Sequence, residues 1–213
     1  MAEKKDLSAL YEFDEAVGNE FPGGLICGTD EAGRGPLAGD VFAAAVILKK
    51  CAVIDGLNDS KKLTEKKRDL LFDEIKEKSE AWSIATASVD EIEKINILNA
   101  AMLAMKRAVE GLGVKPSLVM ADGNKCPDIE DTEVRSVVKG DALSASIAAA
   151  SVLAKVARDR YMAEMAEKYP GYAFEKHKGY GTKLHYQMID EHGPSEIHRM
   201  SFLKKYYDKK RSG

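Results

Sequence analysis

The sequence predicts an α/β protein in which a mixed sheet of about five strands is flanked by helices. Segments with strand character alternate along the chain with segments of helical periodicity, in the order β-β-α-β-α-β-β-α-α. The chain has 213 residues, of which 45% are hydrophobic, and this is enough to bury one substantial core. We therefore expect one main domain, residues 1–170, followed by an extension, residues 171–213.

The five predicted strands differ in their hydrophobic pattern. The first two cover residues 24–31 and 40–48, and the glycine-rich segment between them favours a hairpin. Residues 82–89 alternate between apolar and polar side chains, as a half-buried strand does. Two shorter strands are predicted at residues 116–121 and 133–138. Together these strands form the predicted mixed sheet.

The first predicted helix covers residues 64–78 and is amphipathic. Leu70, Leu71 and Ile75 share one face of this helix, which we expect to be its buried face. Thr64 is suited to cap the amino-terminal end, because its hydroxyl oxygen can accept a hydrogen bond from a free backbone amide.

Two further helices are predicted at residues 96–112 and 142–168. The second of these is rich in alanine and serine, and such small side chains let a helix lie close against a sheet. The tail from residue 172 onward is polar, aromatic and rich in lysine, with one more helix predicted at residues 202–210. The tail has too few apolar residues for a second core, so we expect it to pack on the first.

Charge and cysteine content exclude several classes of protein. The formal net charge is −3, so a nucleic-acid partner would have to bind a local basic surface. Cys27, Cys51 and Cys126 are odd in number and form no Cys-x-x-Cys pair, which argues against a disulfide framework and structural zinc. The amino terminus is polar and acidic, unlike a secretory signal, and residues 142–157 are too short to span a bilayer. We expect a cytoplasmic protein without a membrane partner.

The segment 29–39 carries the strongest functional signal. Asp30 and Glu31 lie at the end of the first predicted strand, and the turn Gly33-Arg34-Gly35 follows directly. Carboxylates bind hard metal ions, and a turn of glycine and arginine can hold a phosphate. The combination suggests metal-dependent chemistry on a phosphate ester.

Two further acids stand at the tips of predicted elements. Asp122 follows the strand at 116–121, and Asp141 opens the long helix. Each has an ordinary alternative, because Asp-Gly is a common turn and aspartate is a preferred N-cap. Asp159 lies among basic residues of the same helix, and we interpret it as a surface salt-bridge partner. Acids on three such tips suit two divalent cations, Mg²⁺ or Mn²⁺, during phosphoryl transfer.

Six motifs extend over nearly the whole chain: GTDEAGRGPLAG (28–39), NDSKKL (58–63), ADGN (121–124), KGDALSASIAAASVLAKVARDR (139–160), HKGYGTKLHY (177–186) and HGPSEIHRMSF (192–202). In this order they resemble the ribonuclease HII family of bacteria. Each motif is moderately specific, whereas the ordered set is highly specific. The resemblance implies a ribonuclease-H-like fold, that is, a mixed five-stranded sheet flanked by helices, with a helical carboxy-terminal extension.

The same resemblance implies an activity and a catalytic set. The family cleaves the RNA strand of RNA/DNA hybrids and nicks duplex DNA on the 5′ side of an embedded ribonucleotide, leaving 3′-hydroxyl and 5′-phosphate ends. Its metal-binding acids correspond to Asp30, Glu31, Asp122 and Asp141, which would hold two Mg²⁺ or Mn²⁺ ions. This set includes the acids singled out above and leaves Asp159 outside.

The resemblance also assigns substrate contacts. The backbone of Gly33, Arg34 and Gly35 would contact the ribose 2′-hydroxyl and a phosphate, since glycine lacks a Cβ that would block close approach. The ring of Tyr180 would pack on the deoxyribose that follows the ribonucleotide. Polar motifs of the family contribute four further candidates for phosphate or substrate contact: Ser60, Lys61, Lys183 and His185.

Two other functions remain open on the sequence alone. A junction resolvase or integrase-like nuclease would also use clustered acids, but it would cut DNA that contains no ribonucleotide. A binding module without catalysis would use the basic tail, although clustered carboxylates repel phosphate when no metal is bound. We expect a monomer. The spacing of Phe202, Tyr206 and Tyr207 does not predict contact with a sliding clamp, and the four histidines lack a zinc-site spacing.

Overall fold

A computed structural model describes residues 2–211, with the backbone alone for residues 2–8. Its five strands are β1 (Ile26–Ala32), β2 (Val41–Leu48), β3 (Ser79–Ala87), β4 (Leu118–Asp122) and β5 (Glu133–Val137). Its α-helices are α1 (Ala2–Gly18), α2 (Glu65–Lys78), α3 (Val89–Glu110), α4 (Ala145–Lys168), α5 (Phe174–His177), α6 (Lys183–His192) and α7 (Met200–Arg211). Short 3₁₀ turns occur at Ser60–Lys62, Gly140–Ala142 and Pro170–Tyr172.

The strands form one mixed sheet in the order β3-β2-β1-β4-β5. β1 pairs antiparallel with β2, and β2 pairs antiparallel with β3, so the predicted hairpin is confirmed. β1 pairs in parallel with β4, and β4 pairs in parallel with β5. The predicted mixed sheet of five strands flanked by helices is confirmed.

Helices cover both faces of the sheet. Ala44 and Val46 of β2 belong to an apolar cluster with α2 and α4, whereas Ala43 and Ala45 belong to a cluster with α3. β2 is therefore buried on both faces, as its continuous apolar run indicates. α4 lies very close to β1, because a Cβ on Gly28 would come within 2.3 Å of the helix backbone. Glycine at this position permits the close packing predicted for the alanine-rich helix.

The start of α3 differs from the prediction. The helix begins at Val89 rather than at residue 96, and the preceding strand ends at Ala87. Ser88 and Glu91 form a capping box in which each side chain bonds the backbone amide of the other residue. Asn96 interrupts the helix with a φ of 66°, and the predicted helix corresponds to the part that follows this interruption.

Two further expectations are corrected, and one helix is additional. Thr64 caps α2 as predicted, but Leu70 is 68% exposed, and the buried residues are Leu71, Phe72 and Ile75. α4 begins at Ala145 with Ser144 as its N-cap, so Asp141 lies in the turn before the helix and does not cap it. The helix α1 was not predicted at all.

The tail from residue 171 packs on the main body, as expected. Tyr172 and Phe174 stack with their ring centroids 5.3 Å apart, in a small apolar cluster that includes Ala38 and Met162. The helix predicted at residues 202–210 corresponds to α7. Among the described residues, no helix is long and apolar enough to cross a membrane.

Candidate active site

Parallel pairing brings two acids to the same edge of the sheet. The residues that directly follow the last paired positions of β1 and β4 are Asp30 and Asp122. Side chains alternate along a strand, so Asp30 lies on the same face as Gly28, and Asp122 lies on the same face as Met120. Both of those residues face α4. The two carboxylates therefore share one face and one edge of the sheet.

Asp141 approaches the same edge from the turn before α4. Oδ1 of Asp122 accepts a hydrogen bond of 2.6 Å from the Gly140 amide and a longer one of 3.4 Å from the Asp141 amide. These bonds tie the turn to the end of β4. The third acid is thereby placed beside the first two.

Burial and repulsion from neighbouring acids raise the pKa values of Asp30, Glu31 and Asp141. Asp30 is 4% exposed, and its pKa is raised well above its ordinary value by burial first and then by the charges of Glu31 and Asp122. Burial also raises the pKa of Glu31, although Arg34 opposes this effect. The pKa of Asp141 is raised by burial and by nearby acids, including Asp122. The site therefore concentrates negative charge in a poorly solvated place.

Two basic side chains neutralise part of this charge. Arg34 donates to Oε1 of Glu31 at 3.1 Å. Nζ of Lys61 lies 3.6 Å from Oδ2 of Asp141, and Asp30 and Asp122 also attract it. The Lys61 side chain is 77% exposed, so its attraction to the acids is weakened by solvent.

The four acids supply the donor set that a hard divalent cation requires. Carboxylate oxygens are the preferred ligands of Mg²⁺ and Mn²⁺. Burial is the main cause that raises the pKa values of Asp30, Glu31 and Asp141, and a bound cation would favour their charged forms. Within the described residues, however, no group of three or more acid, histidine or cysteine side chains is already arranged to hold a metal. Oδ1 of Asp30 accepts from the Glu31 amide and Oδ1 of Asp122 accepts from the Gly140 amide, and these bonds orient the two carboxylates.

The turn Gly33-Arg34-Gly35 lies next to Tyr180. A Cβ on Gly35 would lie 3.7 Å from Cε1 of Tyr180, whose side chain is 43% exposed. The amide of Leu37 donates to the carbonyl of Gly179 at 2.8 Å, which fixes the two loops to each other. The structure thus places an exposed aromatic ring and a glycine-rich backbone side by side, close to Glu31.

The family model described as ribonuclease HII matches residues 27–205. The chain belongs to the ribonuclease HII family. A ribonuclease HII from Caldicellulosiruptor bescii is 54% identical over 194 residues, which cover 91% of this chain and 93% of the relative.

Solved structures with lower identity share the fold of this ribonuclease HII family member. The ribonuclease H2 from Pyrococcus horikoshii OT3 has a TM-score of 0.72 and 23% identity, covering 88% of this chain and 99% of that one. Bst-RNase HIII in complex with Mn²⁺ has a TM-score of 0.62 and 17% identity, covering 79% of this chain and 63% of that one. The ribonuclease-H-like fold is therefore confirmed.

The other predicted contact residues of the family separate into exposed and buried ones. Lys183 is exposed in the first turn of α6, which Thr182 caps. Ser60 is buried, and its hydroxyl lies 2.9 Å from that of Ser151 on α4. His185 is fully buried.

Direct substrate contact is not open to the His185 ring, because both of its nitrogens are used inside the protein. Nδ1 lies 3.0 Å from the carbonyl of Tyr180, and Nε2 lies 3.0 Å from Nε2 of His198. The prediction that His185 contacts substrate is corrected on this ground. Its place in the site is to hold the loop that carries Tyr180.

Sequence reasoning also missed three buried charged residues. Asp159 does form salt bridges, with Lys155 at 2.6 Å and Arg68 at 3.6 Å, but it is buried, so its surface assignment was wrong. Arg158 and Arg199 are fully buried beneath the loop at 33–39. Arg199 lies within a family motif, but an arginine among polar residues gives no signal of burial.

Proposed function

We propose that this protein is a metal-dependent endoribonuclease that hydrolyses the RNA strand of RNA/DNA hybrids and nicks duplex DNA on the 5′ side of embedded ribonucleotides. Membership in the ribonuclease HII family makes it a ribonuclease H-type hydrolase. The observation that carries the finer proposal is the placement of Asp30, Asp122 and Asp141 at one sheet edge, near an exposed glycine-rich turn and Tyr180. The products would carry 3′-hydroxyl and 5′-phosphate ends.

Asp30, Glu31, Asp122 and Asp141 would hold two divalent cations, Mg²⁺ or Mn²⁺. Bound ions of this kind supply an activated water and stabilise the leaving oxygen in an in-line displacement. The hydrogen bonds from Gly140 and Asp141 to Asp122 keep the turn at the sheet edge, and burial of Asp30 excludes water from one side of the site. The Mn²⁺ complex of the structurally similar Bst-RNase HIII supports this choice of ion.

Substrate would lie across the glycine-rich turn and Tyr180. Backbone amides of the turn would bind the ribose 2′-hydroxyl and a phosphate, and the exposed ring would pack on the neighbouring sugar. Lys61 and Lys183 are exposed and would contact phosphates, whereas Ser60 and His185 would hold the contacting loops from within. In this proposal residues 1–170 form the catalytic domain, and residues 171–213 contribute to substrate binding. We expect the protein to act as a cytoplasmic monomer, without sliding-clamp contact.

A labelled DNA duplex containing one ribonucleotide tests the proposal against an all-DNA copy. We expect a nick 5′ to the ribonucleotide in Mg²⁺ or Mn²⁺, no nick in EDTA, and no cutting of all-DNA. Asp141→Asn, which keeps the shape of the side chain, should fold normally and lose at least about a hundredfold in rate.

Cutting of both duplexes would instead indicate a junction or general nuclease. If folded protein cut neither duplex, a binding module would be the better account. Full activity of Asp141→Asn would remove that residue from the catalytic set.

A further inference from the structure

The side chain of Arg199 donates all of its hydrogen bonds to one loop, residues 33–39. Its guanidinium donates to the carbonyls of Gly33 at 2.7 Å, Arg34 at 3.1 Å, Pro36 at 2.9 Å and Gly39 at 2.6 and 2.9 Å. A guanidinium has five N–H groups, and these bonds use all of them. The side chain is fully buried, so no donor remains for solvent.

This arrangement is costly, because burial of a cation is unfavourable unless an acid compensates it. Burial, together with repulsion from Arg158, lowers the pKa of Arg199 to about 9, and attraction to Asp40 offsets only part of this. Main-chain carbonyls, rather than a carboxylate, satisfy the guanidinium. Arg199 therefore stabilises one conformation of the loop.

The inward direction of these carbonyls also fixes the direction of the amides in the same peptide units. The described chain contains no cis peptide bond, so the C=O and N–H of each peptide unit point in opposite directions. The carbonyls of Gly33 and Arg34 point inward at the guanidinium, and the amides on the same peptide units belong to Arg34 and Gly35. Those two amides consequently point away from Arg199.

The two amides are also unused within the protein. Arg34 and Gly35 are exposed, and no bond from either amide occurs in the described part of the chain. Adjacent backbone N–H groups that converge on solvent form a small site for an oxygen acceptor. A cation bonded to the opposite end of each peptide unit polarises it and strengthens these donors.

We propose that Arg199 is a positioning residue for ribose recognition: by holding the Gly33 and Arg34 carbonyls, it presents the Arg34 and Gly35 amides to the 2′-hydroxyl oxygen of the substrate. The inference rests on the proposed ribonuclease function. The residue acts through the backbone and touches neither substrate nor metal. Its contribution is to selectivity for a ribonucleotide over a deoxyribonucleotide.

Arg199→Lys gives the sharpest test. Lysine keeps the charge, but its ammonium has three donors at one point and cannot reach four separated carbonyls. We expect the ratio of affinities for one-ribonucleotide and all-DNA duplexes to fall about tenfold or more, measured with Ca²⁺ in place of Mg²⁺ or Mn²⁺ so that the acids are neutralised without rapid cleavage. Mn²⁺ affinity and affinity for the all-DNA duplex should remain unchanged. Arg135→Lys, at a partly exposed arginine that pairs with Glu20 and Glu133, is the matched control.

A folded Arg199→Lys protein with an unchanged affinity ratio would overturn the inference while leaving the proposed function intact. If the wild type itself showed no preference for the ribonucleotide, the proposed function would fail first. A second measurement uses the wild type alone, in case the variant does not fold. In ¹⁵N NMR spectra, the Arg34 and Gly35 amides should shift with the ribonucleotide duplex more than with all-DNA, and equal shifts would overturn the inference.

Discussion

Lys61 and Arg34 set the charge balance of the candidate site. Asp30, Glu31 and Asp141 all have raised pKa values, and burial is the first cause in each case. Arg34 pairs with Glu31, and Lys61 lies beside Asp141. A divalent cation entering this site meets acids that are already partly neutralised, so the two basic residues compete with it.

Replacement of Lys61 tests this competition. Lys61→Met removes the cation near Asp141, so the acids should bind Mn²⁺ a few-fold more tightly at low ionic strength, since exposed charges interact weakly. The KM for the duplex should rise, because the proposed phosphate contact is lost. Calorimetric titration with Mn²⁺ and steady-state kinetics measure the two effects. Lys62→Met, at an exposed neighbouring lysine, should change neither quantity, and weaker Mn²⁺ binding by Lys61→Met would contradict the prediction.

Elements with a strong periodic pattern were predictable, whereas their ends depended on local bonds. Apolar runs and alternating patterns predict the five strands. The start of α3 depends instead on the Ser88–Glu91 capping box, which hydrophobic periodicity does not reveal. The acids at strand ends were also predictable, because parallel pairing gathers strand ends at one edge. The role of Arg199 was not predictable, since its partners in the loop lie about 160 residues away in the chain.

α1 shows the same dependence on distant contacts. It was not predicted, yet Oδ2 of Asp14 accepts a hydrogen bond of 2.8 Å from the Ser146 amide in the first turn of α4. Free amides at a helix start favour such an acceptor. α1 therefore supports the amino-terminal end of α4, which begins four residues after Asp141.

Substitution of Asp14 should destabilise the protein according to the bond that is lost. Asp14→Ala leaves the Ser146 amide without its acceptor, and we expect a loss of about 1–2 kcal/mol in the free energy of unfolding. Asp14→Asn keeps an oxygen acceptor and removes a carboxyl group whose pKa is raised by burial. The loss of unfolding free energy should therefore be smaller in Asp14→Asn than in Asp14→Ala. Urea unfolding at neutral pH measures both values. An equal loss in the two variants would show that the bond to Ser146 does not matter.

The carboxy-terminal extension and the main body of the molecule interlock at the candidate site. The Arg199 amide donates to the Leu37 carbonyl and the Gly39 amide to the Ile197 carbonyl, each at 2.8 Å. His177, His185 and His198 lie directly behind the Tyr180 loop, with His177 and His185 stacked at 4.2 Å. Loss of this packing would therefore alter the glycine-rich turn as well as the extension.

Hydrogen bonds fix the charge state of His185 and His198. The Ser195 amide and hydroxyl both lie 2.8 Å from Nδ1 of His198, so that nitrogen is an acceptor, and the ring proton is on Nε2. This proton is directed at Nε2 of His185, whose own proton lies on Nδ1 and is donated to the Tyr180 carbonyl. Both rings must be neutral, because a second proton on either ring would place two donors face to face.

Acidification should therefore remove the stability that the two neutral rings contribute. Burial is the main cause that lowers the pKa of both His185 and His198 to about 4, below the ordinary value of 6.5. The unfolded chain binds protons more readily than the fold, so stability present above pH 6.5 is lost as the pH falls towards 4. Asp30 acts in the opposite direction, because its raised pKa means that the fold binds a proton more readily than the unfolded chain. Glu175 opposes the lowering of the His177 pKa. The pH dependence of stability must therefore be compared between a variant and the wild type.

His185→Gln keeps a donor and an acceptor but cannot titrate, and it should reduce the loss of stability between pH 7 and pH 5 by on the order of 1–2 kcal/mol. Urea unfolding at both pH values measures the difference, with His192→Gln, at an exposed histidine, as the control. Equal pH dependence in His185→Gln and the wild type would mean that His185 is not held neutral by the fold.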